Sequence, residues 1–418
     1  MNGGKQCWYM HVDQRPSQQQ MLSASDRLSL SRQLTCQKSI SGLPGNRRNI
    51  QLAPAKTNER KPPSLLSLAD LSPKQISEVI ALSSSMKLAH RQNSPKHGLD
   101  PANSPAQGKA QAGRIFDQSL RDRIVAIMFS KRSTRTRVAS ETAVYSLGGH
   151  PVFLGPSDIQ LGVNESLYDT AKIVSSMADG IIARVGGHDE IELLAKESDV
   201  PVLNALSARY HPTQILADLQ TMVEDPLLSV KMNASKSASE SDGNAELGIL
   251  APLKGLKVAW VGDSNNILAD MLVAYPRLGI DLSVAVPKGY DRDEVVWGEM
   301  QDGLRAPTSW RKGEVEWTND PAQAVRDADV VVTDTWISMG DEASKEQRLR
   351  DFSGYQVTEA LCKNAKPDWK FMHCLPRKQN EVDDEVFYGD RSIVFPEGEN
   401  RRWTIQALVD KMFGRWEL

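Results

Sequence analysis

The sequence lacks the features of disulfide-rich, membrane-spanning and strongly charged proteins. Its four cysteines, Cys7, Cys36, Cys362 and Cys374, show no CxxC spacing, which favours a reducing compartment. A structural zinc site needs about four well-spaced ligands, and no such pattern occurs, so we expect no metal. No apolar run approaches the ~20 residues of a membrane span. The net charge of only −3 gives no electrostatic case for nucleic acid or an anionic membrane as a partner.

Two glycine-rich phosphate-binding patterns are also missing. GxxxxGK[ST], the P-loop pattern, does not occur. The apolar run at 255–262 is followed by Asp263, Ser264, Asn265 and Asn266, where a dinucleotide site would carry GxGxxG. Asparagine side chains at this turn disfavour a pyrophosphate, and their carboxamides suit a zwitterionic amino acid instead.

Residues 1–61 differ in composition from the remaining chain. They contain ten Lys or Arg and three acids, a formal charge of +7, and they are rich in Ser and Gln. A segment beginning at Met21, MLSASDRLSLSRQL, spaces leucines between arginines. Basic, serine-rich and acid-poor sequence is typical of an organelle transit peptide. We predict a mitochondrial presequence, with an unspecific disordered tail as the alternative.

The remaining chain alternates predicted strands and helices, which indicates an α/β fold with doubly wound parallel sheets. A helix is expected to begin near Pro73, since proline suits a first helical turn. A polar Ser/Ala/Gly-rich insertion at 231–248 has little to bury and separates two units. The predicted strands are 123–129, 151–154, 179–185, 199–206, 255–262, 281–286, 328–334, 369–374 and 391–396.

These patterns divide the chain into five segments. The first is the tail at 1–61, and a closing helix forms the last. The boundaries are 1–61, 62–223 for the first α/β domain, 224–250 for the polar linker, 251–396 for the second domain and 397–418 for the C-terminal helix.

The segment SKRSTRTR (130–137) follows the first predicted strand and precedes a helix. A helix N-terminus offers free N–H groups and the positive end of the helix dipole. Ser133, Thr134 and Thr136 add hydroxyl donors, and Arg135 can bind an oxyanion through two N–H groups. The pattern favours a phosphate or carboxylate site over a solvated basic helix cap.

Other polar residues follow other strands, where doubly wound sheets bind their ligands. Arg184 ends one strand, although an arginine there can equally form a surface salt bridge. His211 and Gln214 lie about one helical turn apart and can face the same point. Asp334 could hold an ammonium group or cap a helix.

The stretch KFMHCLPRK (370–378) places His373 beside Cys374 where an apolar run ends. The pair could be a thiol nucleophile with its base. Most free cysteines, however, are small buried hydrophobic residues, and both interpretations stay open on these nine residues.

Taken together, the motifs resemble the ornithine carbamoyltransferases of the mitochondrial, anabolic type. The resemblance covers roughly 62–418 apart from two polar loops, at 91–113 and 231–248. STRTR and HPxQ are shared by carbamoyltransferases generally, whereas DxWxSMG and HCLP point to ornithine, because aspartate-using relatives resemble HPLP. The motifs are SKRSTRTR, NES, SSMADGI, ARV, HPTQILAD, GDSNNIL, DTWISMG, HCLPRK, EVDDEVF and FPEGENRRWT.

The resemblance implies specific roles for the residues that match the motifs. Catalytic roles fall to Cys374, Asp334, Arg135 and His211. The residues expected at carbamoyl phosphate are Ser133, Thr134, Arg135, Thr136, Arg184, His211, Gln214, Cys374, Leu375 and Arg401. Those expected at L-ornithine are Asn265, Asn266, Asp334, Ser338 and Met339. His373 is interpreted as structural, and Cys374 as lining the cleft between the two substrates.

The resemblance also implies the assembly and the activity. We expect carbamoyl transfer to the δ-amine of ornithine in the mitochondrial matrix, by a homotrimer without metal or organic cofactor. The last helix should return to the first, carbamoyl phosphate-binding domain, and the second domain should bind ornithine. Ala208 departs from the family pattern SDxxHP, which leaves one contact near His211 in doubt. Aspartate-type or acetylornithine-type transfer and a non-enzymatic anion-binding module are the alternatives.

Overall fold

The structure is a computed structural model in which residues 62–93, 116–158, 165–233, 246–337 and 345–418 are described. The chain divides into two units, Met1–Asn58 and Glu59–Leu418, and all described residues lie in the second. The predicted presequence, Ser338 and Met339 lie outside the described residues, as do most of the 91–113 and 231–248 loops. Within the described ranges, no helix is both long and apolar enough to cross a membrane.

The first domain is built on a parallel four-stranded sheet with the order β2-β1-β3-β4. Its strands are short apolar runs, and the central β1 and β3 are almost fully buried, as expected of parallel strands covered on both faces. The strands are β1 Ile124–Phe129, β2 His150–Leu154, β3 Gly180–Arg184 and β4 Val202–Leu206. The helices are α1 Pro73–Asn93, α2 Thr134–Ser146, α3 Leu167–Met177, α4 His188–Glu197, α5 Pro212–Glu224 and α6 Pro226–Asn233.

The second domain carries a parallel sheet with the order β7-β6-β5-β8-β9. Its strands are β5 Lys257–Val261, β6 Asp281–Ala285, β7 Val315–Thr318, β8 Val330–Thr333 and β9 Lys370–His373. The helices that follow are α7 Asn266–Ala274, α8 Glu294–Arg305, α9 Pro321–Ala324, α10 Lys345–Asp351, α11 Asp384–Tyr388 and α12 Val394–Val409. The two parallel α/β sheets confirm the predicted fold class.

One predicted strand is wrong. Residues 391–396 form a single bridge, Phe371 to Ser392, and α12 then begins at Val394. The apolar run is short and contains Pro396, which fits the first turn of a helix because no intrahelical N–H bond is required there. The sequence prediction also missed β7, a four-residue edge strand whose side chains are only partly buried.

The C-terminal helix α12 packs against α1, α2 and α5 of the first domain, which confirms its predicted return. Its Asn400 side chain is fully buried and forms hydrogen bonds with α1 and α5. The Asn400 oxygen accepts from Lys87 Nζ at 2.6 Å, and its amide nitrogen donates to Thr221 Oγ1 at 2.9 Å. The end of the chain is therefore part of the first domain's core.

The strand orders locate a switch point in each sheet. In the first sheet the chain reverses its direction of growth between β1 and β3, and in the second between β5 and β8. Crevices at the carboxyl ends of such strand pairs are where doubly wound sheets bind ligands. The segments that leave these four strands carry Ser133, Arg184, Asn265 and Asp334.

Candidate active site

A cleft of about 700 Å³ opens between the carboxyl ends of the two sheets. It is lined by twelve of the residues singled out in the sequence. They are Ser133, Thr134, Arg135, Thr136, Arg184, His211, Asn265, Asn266, Asp334, Cys374, Leu375 and Arg401. Gln214 does not line the cleft, and lies directly behind the wall formed by Arg401 and Cys374.

The wall from the first domain begins at the N-terminus of α2. Ser133 occupies the N-cap position, but its hydroxyl makes no capping bond and instead donates to Thr136 Oγ1 at 3.1 Å. The first-turn N–H groups of the helix have no side-chain cap, which is the arrangement of an anion site. Thr134 is the first residue of the helix.

Three guanidinium groups converge on this wall from separate elements. Arg135 lies in the first turn of α2, Arg184 ends β3, and Arg401 lies on α12. Arg135 donates to the carbonyl of Leu375. Arg401 donates to Gln214 Oε1 at 2.6 Å and to Thr136 and Thr213 hydroxyls at 3.3 and 3.2 Å. In each of the three arginines Nε is buried without a partner in the described residues, so donors remain for an anionic ligand.

The wall from the second domain is made of amides and a carboxyl group. Asn265 caps α7 by accepting from the N–H groups of Ile267 and Leu268 at 3.0 and 3.3 Å. Its amide nitrogen donates to Asp334 Oδ2 at 3.0 Å. Asp334 Oδ1 is buried with no hydrogen-bond partner among the described residues, so it can accept from a ligand donor.

The two walls are joined by direct contacts between the domains. Asn266 donates to the carbonyl of Ser207 at 2.7 Å. The backbone N–H of His211 donates to Asp270 Oδ2 at 2.6 Å. Thus α7 places asparagines in the cleft and also holds the loop that ends at His211.

Comparison with known proteins agrees with this arrangement. Residues 63–224 match the family described as aspartate/ornithine carbamoyltransferase, carbamoyl-P binding domain, and residues 254–412 match its Asp/Orn binding domain. The mitochondrial ornithine carbamoyltransferase of Aspergillus niger is 47% identical over 359 residues, covering 84% of this chain and 87% of that one. The chain belongs to the ornithine carbamoyltransferase family.

Further members of this family are similar to the chain in both sequence and fold. The mitochondrial protein of Schizosaccharomyces pombe is 45% identical over 352 residues, covering 84% of this chain and 94% of that one. The crystal structure of a mitochondrial ornithine carbamoyltransferase from Coccidioides immitis superposes with a TM-score of 0.70 at 42% identity, covering 85% of this chain and 98% of that one. The structure of the ornithine carbamoyltransferase from Pyrococcus furiosus superposes with a TM-score of 0.69 at 35% identity, covering 84% of this chain and 97% of that one.

Burial sets the protonation of the main titratable groups in the cleft. Burial, reinforced by Arg401 and Arg184, lowers the pKa of His211 well below its usual value, so the imidazole is neutral. Burial lowers the pKa of Arg401 to about 10, which leaves it charged near neutral pH. Burial raises the pKa of Asp334 to about 6, so this group is a carboxylate at neutral pH.

The histidine beside Cys374 does not activate it. Burial, with Asp334 nearby, raises the pKa of the Cys374 thiol well above its usual value. The thiol donates to Gln214 Oε1 at 3.3 Å. His373 points elsewhere: its Nε2 lies 3.2 Å from Glu381, and its Nδ1 accepts from the N–H of Leu375 at 2.8 Å. The geometry therefore gives no thiolate–imidazole pair.

Sequence reasoning missed four residues of the site. Lys131 and Lys378 line the cleft, whereas Asp218 and Glu397 are buried behind it and accept from Gln214. The signal for Asp218 was its position four residues after Gln214 on one helix face. Across the described residues, no group of three or more His, Cys, Asp or Glu side chains has metal-binding geometry.

The departure at Ala208 has a structural counterpart. Ala208 lines the cleft and donates its backbone N–H to Gly186. The backbone N–H of His211 donates to the carboxyl group of Asp270, in the second domain. An acid therefore contacts the backbone of His211, and it belongs to α7.

Proposed function

We propose that the protein transfers the carbamoyl group of carbamoyl phosphate to the δ-amine of L-ornithine, giving L-citrulline and phosphate, the citrulline-forming step of arginine biosynthesis. One observation carries this proposal. A wall of hydroxyls and three arginines faces a wall of amides and one carboxylate across a single cleft. The first wall suits a dianionic phosphoryl group, and the second suits the polar ends of an amino acid.

Carbamoyl phosphate binds at the N-terminus of α2. Ser133, Thr134 and Thr136 contact its phosphate through hydroxyls and backbone N–H groups, and Arg135 adds a charged fork. Arg184, His211 and Arg401 surround the carbamoyl part, which Leu375 and Cys374 cover on the side of the second domain. Gln214 lies behind this part of the pocket and holds Arg401 and Cys374 in place through hydrogen bonds.

L-Ornithine binds on the opposite wall. Asn265 and Asn266 offer amide groups, and Asp334 offers an unpaired carboxylate oxygen to an ammonium or amine nitrogen. Ser338 and Met339, which belong to the same proposed set, follow Asp334 closely in the chain. The position of Asp334 at the carboxyl end of β8 supports this assignment.

The reaction joins the amine nitrogen to the carbamoyl carbon. The δ-amine has a lysine-like pKa of about 10.4 and must lose a proton before it can attack. Attack places negative charge on the carbonyl oxygen, which Arg135, Thr136 and His211 stabilise as preorganised donors. The bond from carbon to the bridging phosphate oxygen then breaks, and phosphate leaves with the electron pair. Asp334 and Cys374 lie beside the reacting amine. Asp334 is ionised at neutral pH and accepts the proton of the amine.

A colorimetric citrulline assay tests this function directly. Purified protein is incubated with carbamoyl phosphate and each of L-ornithine, L-aspartate and N-acetyl-L-ornithine, and both carbamoylated product and phosphate are measured. Of the three amines, we expect only L-ornithine to give a carbamoylated product. Product with another amine only would identify a different acceptor, and no phosphate release with any amine would indicate a non-enzymatic binding protein.

We further propose that the protein is a homotrimer assembled through its first domain. This is supported by exposed apolar side chains on α2, the edge strand β2 and α3, among them Tyr145 and Met177, which are 76% and 71% exposed. Apolar patches of this kind commonly mark interfaces. Light scattering on the purified protein should give three chains per particle.

The proposed location is the mitochondrial matrix. The support is the basic, acid-poor segment 1–61 and the mitochondrial names of the fungal relatives. A C-terminal fluorescent fusion should be protected from protease in isolated mitochondria after the outer membrane is opened. A fusion that begins at residue 62 should remain in the cytosol.

A further inference from the structure

Asp218 and Glu397 lie side by side behind the arginine-lined wall of the cleft. Each is 1% exposed, and a single amide nitrogen, Gln214 Nε2, donates to both of them, so the two carboxyl groups lie close together. In the described residues, neither has a side-chain nitrogen of lysine, arginine or histidine within ion-pair distance. Two adjacent carboxylates cannot both stay ionised in such a place, because desolvation and mutual repulsion oppose the second charge. The pair therefore retains one proton.

Both carboxyl groups accept from the same amide. Gln214 Nε2 donates to Asp218 Oδ1 at 2.8 Å and to Glu397 Oε1 at 2.6 Å. A glutamine amide has two N–H donors, so both are used. The opposite end of the amide accepts from Arg401, which has only donors to offer, and from the thiol of Cys374. The orientation of the Gln214 amide is consequently determined by its four partners.

The hydrogen bonds also indicate which acid carries the proton. Glu397 uses both of its oxygens as acceptors, since Oε2 receives the backbone N–H of His373 at 3.0 Å. Asp218 accepts from Gln214 through Oδ1 alone, which leaves its other oxygen to be the hydroxyl. A protonated Asp218 that donates to ionised Glu397 satisfies every group in the cluster.

We propose that Asp218 and Glu397 are a positioning pair that shares one proton, carried on Asp218, and that keeps the Gln214 oxygen directed at Arg401 and Cys374. Burial raises the pKa of both carboxyl groups, of Asp218 to about 7 and of Glu397 further, in agreement with one proton retained by the pair. The proton is placed on Asp218 by the geometry, because both oxygens of Glu397 already accept N–H bonds. The pair joins α5, β9 and α12, the three elements that deliver Gln214, Cys374 and Arg401 to the site. Its role is to hold the carbamoyl side of the cleft in shape, a role that rests on the proposed function.

Two matched substitutions test the pair, because each replaces a carboxyl group with a carboxamide of the same shape. Asp218→Asn keeps an oxygen for Gln214 and an N–H group for Glu397, so it should retain kcat/KM for carbamoyl phosphate within about threefold. Glu397→Gln removes an oxygen that is in use, so kcat/KM should fall about tenfold or more. Asp218→Ala should lose activity that Asp218→Asn restores.

The inhibition constant of inorganic phosphate separates positioning from general damage. Phosphate binds at the N-terminus of α2, away from the pair, so its inhibition constant should be unchanged in all three variants. The proposal is overturned if Asp218→Asn loses as much activity as Glu397→Gln, if Glu397→Gln stays at the native level, or if phosphate affinity falls in parallel with kcat/KM.

Infrared spectroscopy tests the proton itself, without any activity. The difference spectrum between the native protein and Asp218→Asn at neutral pH should contain the C=O stretch of one protonated carboxyl group. If that band is absent from the difference, Asp218 does not carry the proton and the assignment is wrong. The native citrulline assay, by contrast, decides the proposed function alone.

Discussion

Asp270 of the second domain accepts the backbone N–H of His211, in the first domain, at 2.6 Å. Its other oxygen accepts the N–H of Leu68 at 2.8 Å. Asp270 lies one turn beyond Asn266 on α7, so the helix that presents the asparagines to the cleft also fixes the N-cap of α5. The ornithine wall and the position of His211 are thereby coupled through one carboxyl group.

This coupling predicts the effect of Asp270→Asn. Both oxygens of Asp270 accept N–H bonds, so an amide must direct its NH₂ at one of these donors. We expect a loss of about 1–3 kcal/mol in the free energy of unfolding, together with reduced kcat/KM, measured by urea unfolding and the citrulline assay. Asp320→Asn is the matched control, because Asp320 only caps α9 and asparagine caps a helix equally well. Equal stability losses in the two variants would contradict the coupling.

Arg135→Ala tests the anion wall. The variant loses a charged donor to the phosphate and to the developing oxyanion, and a key donor of this kind contributes about 3–4 kcal/mol. We expect kcat/KM for carbamoyl phosphate to fall by a factor of about 10²–10³, with an unchanged circular dichroism spectrum. Arg137→Ala is the control on the same helix, because Arg137 is paired with Glu141 on the surface. Near-native activity in Arg135→Ala would refute the assigned role.

The Cys374 thiol should be unreactive in the folded protein. Burial raises its pKa well above the usual value, and the thiolate is the reactive form. Iodoacetamide at pH 7.5 should therefore leave Cys374 unmodified until urea unfolds the chain, as shown by peptide mass spectrometry. Cys362, whose pKa burial raises to about 12, should behave in the same way. Trapping a carbamoyl or other acyl group on Cys374 during turnover would show that it is a nucleophile after all.

The pH dependence of ornithine use should report Asp334. Its pKa is raised by burial to about 6, so the carboxylate that binds ornithine is lost as the pH falls through this value. We expect kcat/KM for ornithine to decline on the acid side with an apparent pKa near 6. His211 does not account for this decline, because its pKa is lowered well below 6.5.

The same shift predicts a change in stability. Between about pH 3.8 and 6 folded Asp334 holds a proton that the unfolded chain has lost, so this group makes the protein less stable as the pH rises through that window. Asp334→Asn should remove this contribution and should be more stable than the native protein at pH 8 without substrate. Urea unfolding at several pH values measures both effects, and an unchanged pH slope in Asp334→Asn would contradict them.

Much of the fold could be predicted because most of its strands and helices follow from patterns of apolar residues within a few positions of one another. Eight of the nine described strands are short apolar runs that were assigned within a few residues. The failures have local causes as well: 391–396 is apolar but turns into a helix at Val394, and β7 is a half-buried edge strand with a weak pattern. Residues at strand ends were predicted to share one site because parallel strands direct their carboxyl ends to one edge.

The sequence by itself determined eight of the nine described strands, the anion-binding start of α2 and most of the polar residues that face the cleft, because each depends on a pattern within a few residues. Only the tertiary structure decided that Gln214 lies behind the wall, that Asp218 meets Glu397, and that Asp270 reaches His211. Asp270 lies 59 positions from His211 in the chain, and Glu397 lies 183 positions from Gln214. The protonation of Asp218, Glu397 and Asp270 depends on how completely the packing of α5, α7 and α12 excludes water, and no local sequence pattern encodes this packing.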